Sequence, residues 1–215
     1  MKPHRNLEVY VVDDDAALLR ALTRLLESEG HRVKPFQFPA EFLHSVAMDA
    51  PGCAILDMHM PELDGLALQK RMVQHRSPLG VLFLTAHGRI EQCVEALKTG
   101  AVDFLSKPVE DTVLLRAVDE ALKKSQERHA ELISAQGVQE RYQRLSPRER
   151  EVFALVTTGM LNKQVAAELG TSEKTIKIHR GRIMTKMQSQ SLADLVRMAD
   201  RLGVVQERSR AESPF

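Results

Sequence analysis

The chain has 215 residues, of which 43% are hydrophobic and 27% charged, a composition typical of one or two globular domains. Its apolar runs are far shorter than the ~20 residues that a membrane-spanning helix needs, and its first residues lack the apolar core of a signal peptide. The two cysteines, Cys53 and Cys93, belong to no CxxC or Cys/His cluster, which argues against a zinc site. We therefore expect a protein of the reducing cytoplasm with no membrane partner.

The charge is distributed unevenly along the chain, although the net charge is only +1. Residues 1–140 contain 16 Lys and Arg against 21 Asp and Glu, whereas residues 141–215 contain 14 against 8. An acidic first part followed by a basic second part indicates two modules with different partners. The basic part is the candidate for binding a polyanion.

Short apolar runs alternate with amphipathic stretches in the first part of the chain. The patterns predict strands at 8–12, 31–36, 53–56, 81–84 and 102–105, and helices at 16–29, 40–48, 66–74, 90–98 and 111–124. Strands that alternate with helices form a parallel sheet covered on both faces. The sequence thus predicts an α/β doubly wound five-stranded parallel sheet in a domain at 1–125.

Residues 126–142 are polar and rich in helix-forming residues, which predicts either an extended helix, with an interruption at Gly137, or a mobile linker. A small all-α module of four helices is expected at 143–205. Its first helix begins with a capping box at Ser146 and Glu149. The next three are predicted at 163–169, capped by Asn162; at 173–187, capped by Thr171 or Ser172; and at 192–202, capped by Ser191. Residues 206–215 are expected to form a flexible tail.

Polar residues follow four of the predicted strands, where ligand sites lie in an open parallel sheet. Asp13 and Asp14 follow the first strand, Asp57 the third, Thr85 the fourth and Lys107 the fifth. Carboxylates that pack together repel each other, and Mg²⁺ relieves that repulsion with few protein ligands and several waters. Carboxylates, a metal, a hydroxyl and an ammonium around one point suit phosphoryl transfer, in which an aspartate can be the nucleophile.

The stretches VVDDD, ILDMHMP, LTAH and KP, in this order and spacing, resemble a response-regulator receiver domain of two-component signalling. The resemblance implies a flavodoxin-like fold and a phosphoryl group accepted from a histidine kinase. The roles it implies are phosphoacceptor for Asp57, Mg²⁺ binding for Asp13, Asp14, Asp57 and the backbone carbonyl of His59, contact with the phosphoryl group for Thr85 and Lys107, and the aromatic switch for Phe104. It also implies a cis peptide at Lys107-Pro108.

Several residues of these stretches also have a simpler structural interpretation. One of Asp13, Asp14 and Asp15 is expected to cap the helix predicted at 16–29, and Asp64 is expected to be a turn or cap residue before the helix at 66–74. His59 and His87 are expected to face solvent rather than to bind a metal through their side chains. The Phe104 ring could instead fill the core without moving.

The segment 163–187 has the spacing of a helix-turn-helix, with a tight turn at Gly170, Thr171 and Ser172. Its second helix has one apolar face, formed by Ile176, Ile183 and Met187. A cationic helix held by a partner helix fits the DNA major groove. The cations of this helix are Lys174, Lys177, Arg180, Arg182 and Lys186. Any one of them could simply be a solvated surface residue.

The text from LSPRERE to SLADLV resembles a LuxR-type effector domain, and the two domains together resemble a FixJ/NarL-type transcription regulator, especially its styrene-catabolism branch. The resemblance implies base contacts from Lys177 and Ile178 and phosphate contacts from Lys163, Thr171, Ser172 and Thr175. Gly181 occupies a position where relatives often have a lysine that faces the groove. Arg180 and Arg182 are expected to compensate through phosphates, and His179 to pack rather than to read bases.

The sequence therefore predicts a non-enzymatic response regulator in which phosphorylation of Asp57 promotes dimerisation and binding to double-stranded promoter DNA. A cognate histidine kinase is the expected partner, and RNA polymerase is a further candidate. Two alternatives remain at this stage: a docking module that never accepts phosphate, and a Mg²⁺-dependent phosphohydrolase. The intact acidic set argues against the first, and the lack of a second aspartate in Asp57-Met58-His59 against the second. The stimulus, the operator and the sign of regulation leave no recognisable trace in the sequence.

Overall fold

The computed structural model describes residues 6–86 and 90–204. The chain divides into two compact units, Met1–Leu132 and Ile133–Phe215. His87 and the predicted tail at 206–215 lie outside the described residues. Within the described ranges, no helix is long and apolar enough to cross a membrane.

Among the described residues, five strands of the first unit alternate with five helices that begin in this unit. The strands are β1 Glu8–Val12, β2 Arg32–Phe36, β3 Gly52–Asp57, β4 Gly80–Thr85 and β5 Asp103–Ser106. The helices are α1 Ala16–Ser28, α2 Pro39–Ser45, α3 Gly65–Gln74, α4 Ile90–Lys98 and α5 Asp111–Gln143. All pairings are parallel, in the order β2-β1-β3-β4-β5. The predicted doubly wound sheet is confirmed.

The sheet is covered on both faces because its side chains alternate between two apolar clusters. Val9, Val11, Ile55, Leu82 and Leu84 pack on one face with residues of α1 and α5. The alternate residues of the same three strands pack on the other face with residues of α2 and α3; they are Tyr10, Val12, Ala54, Leu56, Val81 and Phe83. Each residue of β3 and β4 is buried, which accounts for their continuous apolar runs.

The fifth helix continues past Lys124, where its predicted range ended, and takes in the segment 126–142, for which an extended helix was one of the two expectations. It continues to Gln143 without a break at Gly137. One internal glycine costs a helix only ~1 kcal/mol, and the flanking residues are good helix formers. The helix begins in the first unit, and its last turns, with Val138 and Tyr142, contribute to the apolar core of the second.

Up to residue 204, where the described part of the chain ends, four further helices follow in the second unit, as predicted. They are α6 Pro147–Val156, α7 Asn162–Glu168, α8 Glu173–Met187 and α9 Leu192–Leu202. Ser146 and Glu149 form the expected capping box, and Ser191 caps α9. The predicted cap of α7 is wrong by one residue: Leu161 occupies the N-cap position, where its N–H donates to Oε1 of Gln164. Asn162 is instead the first residue of the helix.

Candidate functional site

Polar residues from three neighbouring strands come together at the carboxyl edge of the sheet because the parallel register aligns the strand ends. Val12 pairs with Leu56, so Asp13 comes level with Asp57 at the end of β3. Asp57 pairs with Leu84, which places Thr85 one residue further along β4. Asp13, Asp57 and Thr85 are buried, whereas Asp14 is exposed.

Lys107 connects the two buried carboxylates of this edge. Its Nζ donates to Oδ2 of Asp13 at 2.6 Å and to Oδ1 of Asp57 at 2.7 Å. Its backbone N–H donates to the carbonyl oxygen of Thr85 at 2.7 Å, which fixes the start of the loop after β5. The Lys107-Pro108 peptide is cis, as the resemblance implied. One ammonium therefore neutralises part of the charge that the two aspartates place beneath the surface.

The protonation of this group follows from burial and pairing. Burial raises the pKa of Asp13 above its ordinary value, and this effect outweighs the hydrogen bonds from Lys107 and Asp15. For Lys107, burial alone would lower the pKa, but the hydrogen bonds to Asp13 and Asp57 together raise it. The lysine therefore stays protonated while it faces the carboxylates.

The loop after β3 holds the remaining oxygen of Asp57. Oδ2 accepts the backbone N–H of His59 at 2.8 Å, and the side chain of His59 is exposed, as expected. A Cβ at Gly65 would collide with the carbonyl oxygen of Asp57, so this helix start can approach the strand end only as glycine. Asp64 caps α3 and Asp15 caps α1, so both are cap residues, as the simpler interpretation expected.

The residues expected to bind Mg²⁺ fit a hard cation by their chemistry. They offer the carboxylate oxygens of Asp13, Asp14 and Asp57 and the carbonyl oxygen of His59, which are the kinds of oxygen donor that Mg²⁺ prefers. Burial raises the pKa of Asp13 because it disfavours the charged carboxylate, and a bound divalent ion would offset that cost. Their present arrangement is organised by Lys107, and no group of three or more acidic, His or Cys residues within 6–86 and 90–204 forms a ready metal cluster.

Phe104, the expected switch residue, lies partly buried on β5. Its ring centroid is 6.1 Å from that of Phe83, and it packs against the apolar cluster on the face of α2 and α3. The arrangement is compatible both with a mobile ring and with static core filling, so its switch role stays a prediction.

In the second unit, α7 and α8 form the two helices of the predicted helix-turn-helix. Ser172 caps α8 by accepting the N–H of Thr175 at 3.1 Å, which resolves the choice between Thr171 and Ser172. Ile176, Ile183 and Met187 are buried, as expected for the core face. The opposite surface exposes Lys174, Lys177, Ile178 and Arg182, and Lys163 is exposed on α7.

Two cations of α8 are engaged within the unit. Arg180 donates to Oδ1 of Asn162 at 2.8 Å and so ties α8 to the start of α7. Lys186 donates to Oε2 of the buried Glu149 at 2.6 Å and makes a long contact of 3.4 Å with the carbonyl oxygen of Arg144. The Glu149–Lys186 pair was not identified from the sequence. The only sign of this pair in the sequence is the capping-box glutamate, whose carboxylate can accept more hydrogen bonds than the cap requires.

His179 packs within the unit rather than projecting freely. It is half-buried, and its Nδ1 is buried without a hydrogen-bond partner among the described residues. This agrees with the expectation that it packs.

Comparison with known families covers both units. Residues 9–119 match the response regulator receiver domain, and residues 143–199 match the luxR family of bacterial regulatory proteins. The chain belongs to the response regulators with a luxR-type DNA-binding domain. It is therefore a transcription regulator rather than an enzyme, and its family implies a cognate kinase and DNA as partners. Receiver domains generally bind Mg²⁺ at the acidic phosphorylation site.

Individual relatives agree over nearly the whole length of this response regulator. Nodulation protein W of Bradyrhizobium diazoefficiens is 44% identical over 91% of this chain and 86% of that protein. The transcriptional regulatory protein FixJ of the same species is 41% identical over 93% of this chain and 97% of its own length. The solved structure of the response regulator StyR matches with a TM-score of 0.76 and 38% identity, covering 90% of this chain and 98% of that one. The resemblance drawn from the sequence is confirmed.

The Glu149–Lys186 pair makes the acid stability of the response regulator's DNA-binding unit testable. Burial would raise the pKa of Glu149, but the hydrogen bonds from Lys186 and the Ser146 backbone lower it overall. A carboxyl with a lowered folded-state pKa contributes stability above its unfolded value, and loses it as the pH falls through the folded value. In Lys186→Met the folded pKa of Glu149 should rise, so acid unfolding should begin at a higher pH.

The measurement is an acid titration followed by far-ultraviolet circular dichroism. At neutral pH, Lys186→Met should lower the free energy of unfolding by less than the ~3–5 kcal/mol that breaking a buried ion pair costs, because the Lys186 side chain is 39% exposed. Lys163→Met, at an exposed lysine of α7, is the control. An acid midpoint that is the same in both variants and the wild type would contradict the assigned role of the pair.

Proposed function

We propose that Asp57 is the phosphoacceptor of this response regulator and that a histidine kinase is the donor. A carboxylate oxygen of Asp57 attacks the phosphorus, the bond to the donor nitrogen breaks, and the histidine leaves. The observation that supports this assignment is the Asp57–Lys107 contact of 2.7 Å at the carboxyl edge of the sheet. It places an ammonium where the negative charge of an acyl phosphate would form.

The other residues of the edge would bind Mg²⁺ and contact the phosphoryl group. Asp13, Asp14, Asp57 and the His59 carbonyl would hold Mg²⁺, which neutralises phosphoryl oxygens when bound. Lys107 would exchange its contact with an Asp57 oxygen for one with the phosphoryl group, and the Thr85 hydroxyl would donate to it. The phosphoryl group adds about −1.5 to −2 charges at neutral pH, by analogy with other phosphorylated side chains. That charge is the proposed signal.

Phosphorylation can be measured by intact mass after incubation with acetyl phosphate and Mg²⁺. The wild type should gain one phosphoryl group, and Asp57→Asn none, because the amide is not a nucleophile. Chelation of Mg²⁺ should abolish the gain in the wild type. Asp64→Asn, at an aspartate that caps α3, is the control and should be phosphorylated normally. Full phosphorylation of Asp57→Asn would place the acceptor elsewhere.

We further propose that phosphorylation makes the protein dimerise through a surface that includes α4. This helix exposes an apolar stripe at helical spacing, formed by Ile90, Val94 and Leu97, which are 78%, 43% and 48% exposed. The helix begins at Ile90, five positions after Thr85 in the chain, and Phe104 lies on β5, which pairs with β4. Movement of Thr85 toward a phosphoryl group, together with repacking of Phe104, would therefore act directly on the position of the stripe.

A charge on this stripe should block dimerisation without affecting phosphorylation. In Val94→Asp the dimer fraction after acetyl phosphate treatment should fall at least about tenfold, since burying an unpaired carboxylate costs several kcal/mol. Light scattering after size-exclusion chromatography measures the dimer, and intact mass verifies equal phosphorylation. Val73→Asp is the matched control, because Val73 is 53% exposed on α3. Equal dimer fractions in both variants would exclude the α4 stripe.

We propose that α8 reads promoter DNA in the major groove. Lys177 and the apolar Ile178, which is 49% exposed, would contact bases, as the family resemblance implies. The remaining predicted contacts would be to phosphates; they involve Lys163, Thr171, Ser172, Lys174, Thr175, Arg180 and Arg182. The exposed cations support this role. Arg180 already donates to Asn162, so in this arrangement part of its guanidinium would position α8 rather than bind DNA.

Base contacts should depend on the DNA sequence, whereas phosphate contacts should not. Lys177→Ala should lower the preference for a specific site over random DNA by about 1–3 kcal/mol. Lys163→Ala should weaken binding to all DNA sequences alike, and it should reduce the slope of log affinity against log salt concentration by about one. Fluorescence anisotropy over a range of salt concentrations measures both effects. Arg197→Ala on α9 is the control, and unchanged specificity in Lys177→Ala would move base recognition elsewhere.

The domain assignment that accompanies this function is also proposed. Residues 1–125 would form the receiver, 126–142 a helical linker and 143–205 the DNA-binding domain. A dimer bound to a two-fold site would present two copies of α8 about one DNA turn apart. RNA polymerase is the further proposed partner at the promoter, and the cytoplasm, where the promoter DNA lies, is the proposed location.

A further inference from the structure

A groove on the first unit has a lining that includes none of the proposed phosphorylation-site residues and no residue of α4. It runs between α1 and the edge strand β2, with a volume of about 610 Å³, which is within the range of small-molecule sites. The residues that line it are Ala16, Leu19, Arg20, Thr23, Arg24, Pro35 and Gln37. The phosphoacceptor chemistry uses none of them.

The groove combines an apolar surface with two guanidinium groups. Ala16, Leu19 and Pro35 contribute hydrocarbon, and Arg20 and Arg24 lie one helical turn apart on α1. Like charges at this spacing destabilise a helix. In the part of the chain that the structure describes, neither arginine forms an ion pair with a carboxylate. Instead, Nε of Arg24 donates to the carbonyl oxygen of Arg20 at 3.3 Å. The groove thus carries positive charge that its own residues leave without a counter-ion.

An unused hydroxyl lies between the two arginines in the sequence. Oγ1 of Thr23 is buried and has no hydrogen-bond partner among the described residues. A buried hydroxyl without a partner is unfavourable unless a ligand or water completes it. At the end of the groove, Nε2 of Gln37 donates to the carbonyl oxygen of Asp14 at 3.3 Å, so this amide is held in place.

We propose that this groove binds a small amphipathic carboxylate, a molecule with one anionic group and a hydrocarbon or aromatic body. The guanidinium groups of Arg20 and Arg24 suit a carboxylate because their paired N–H groups match its two oxygens. The Thr23 hydroxyl would donate to it or complete its hydration. The body of the ligand would cover Ala16, Leu19 and Pro35.

The local structure favours this occupant over an added protein strand. Although β2 is an edge strand, Pro35 has no N–H and so interrupts the row of donors that strand addition requires. The volume also suits a compact ligand rather than a protein surface. An acidic peptide is therefore the alternative to be tested, not the proposal.

The test is a nuclear magnetic resonance titration of the full chain with 4-tert-butylbenzoate, using backbone amide shifts. Shifts should concentrate on α1 and β2, with a dissociation constant on the order of 1 mM. The neutral 4-tert-butylbenzamide has the same body without the charge, and should bind at least about tenfold more weakly. The double variant Arg20→Gln, Arg24→Gln should lose about the same factor.

Matched controls separate this site from general attraction to arginine. The double variant Arg71→Gln, Arg116→Gln removes two exposed arginines from α3 and α5 and should bind as the wild type does. Thr23→Val should weaken carboxylate binding while leaving the melting temperature unchanged or higher, because it removes an unpartnered buried hydroxyl. Unchanged affinity in Thr23→Val would show that the Thr23 hydroxyl takes no part in binding the carboxylate.

Other outcomes overturn the proposal. Equal binding of the carboxylate and the amide would show that charge has no role, and an absence of shifts in α1 and β2 would show that the groove does not bind this class of ligand. If an acidic amphipathic peptide shifts these amides and the carboxylate does not, the groove is a protein-docking surface. These measurements need no phosphorylation, so their result is independent of the role of Asp57.

Discussion

The receiver site depends on one ammonium group placed between two buried carboxylates. Asp13 and Asp57 could not both remain below the surface without a cation, because burial disfavours their charged forms. Lys107, which directly follows β5, supplies that cation, and its backbone N–H is held by the carbonyl oxygen of Thr85. The same contact sets the conditions for the proposed phosphorylation, since a phosphoryl group on Asp57 would compete for this ammonium. A single side chain thus stabilises the resting site and is the first group that the proposed signal would disturb.

The sheet makes this arrangement possible through register rather than through sequence proximity. Asp57 is separated from Asp13 by 44 positions and from Lys107 by 50, yet parallel pairing brings the ends of β1, β3 and β4 to one edge. Gly65 lets α3 begin directly beside the Asp57 carbonyl. Since the two apolar clusters hold the strands from both faces, the polar groups can occupy an edge that contributes little to the core.

The DNA-binding unit also pairs a buried carboxylate with a lysine ammonium. Glu149 belongs to a capping box, and it also accepts Lys186 from the end of α8. Arg180 ties the middle of α8 to the start of α7. Helix α8 is therefore held at two points by cations that, in the sequence alone, are candidates for DNA contacts. In the proposed DNA complex, a helix fixed in this way would present Lys174, Lys177 and Ile178 with a lower entropic cost of binding.

The sequence by itself determined the order of strands and helices, the family, and the acidic, hydroxyl and lysine residues of the edge, because these follow from local periodicity and from motif spacing. It also identified the caps at Ser146 and Ser191, which depend on neighbouring residues only. Only the tertiary structure decided that Lys107 bridges Asp13 and Asp57, that Lys186 pairs with Glu149 rather than remaining free for DNA, and that Arg20, Thr23 and Arg24 line a groove with Pro35. The physical reason is that partners of charged side chains are chosen by distance in space, which residues far apart in the chain acquire only when the core has packed.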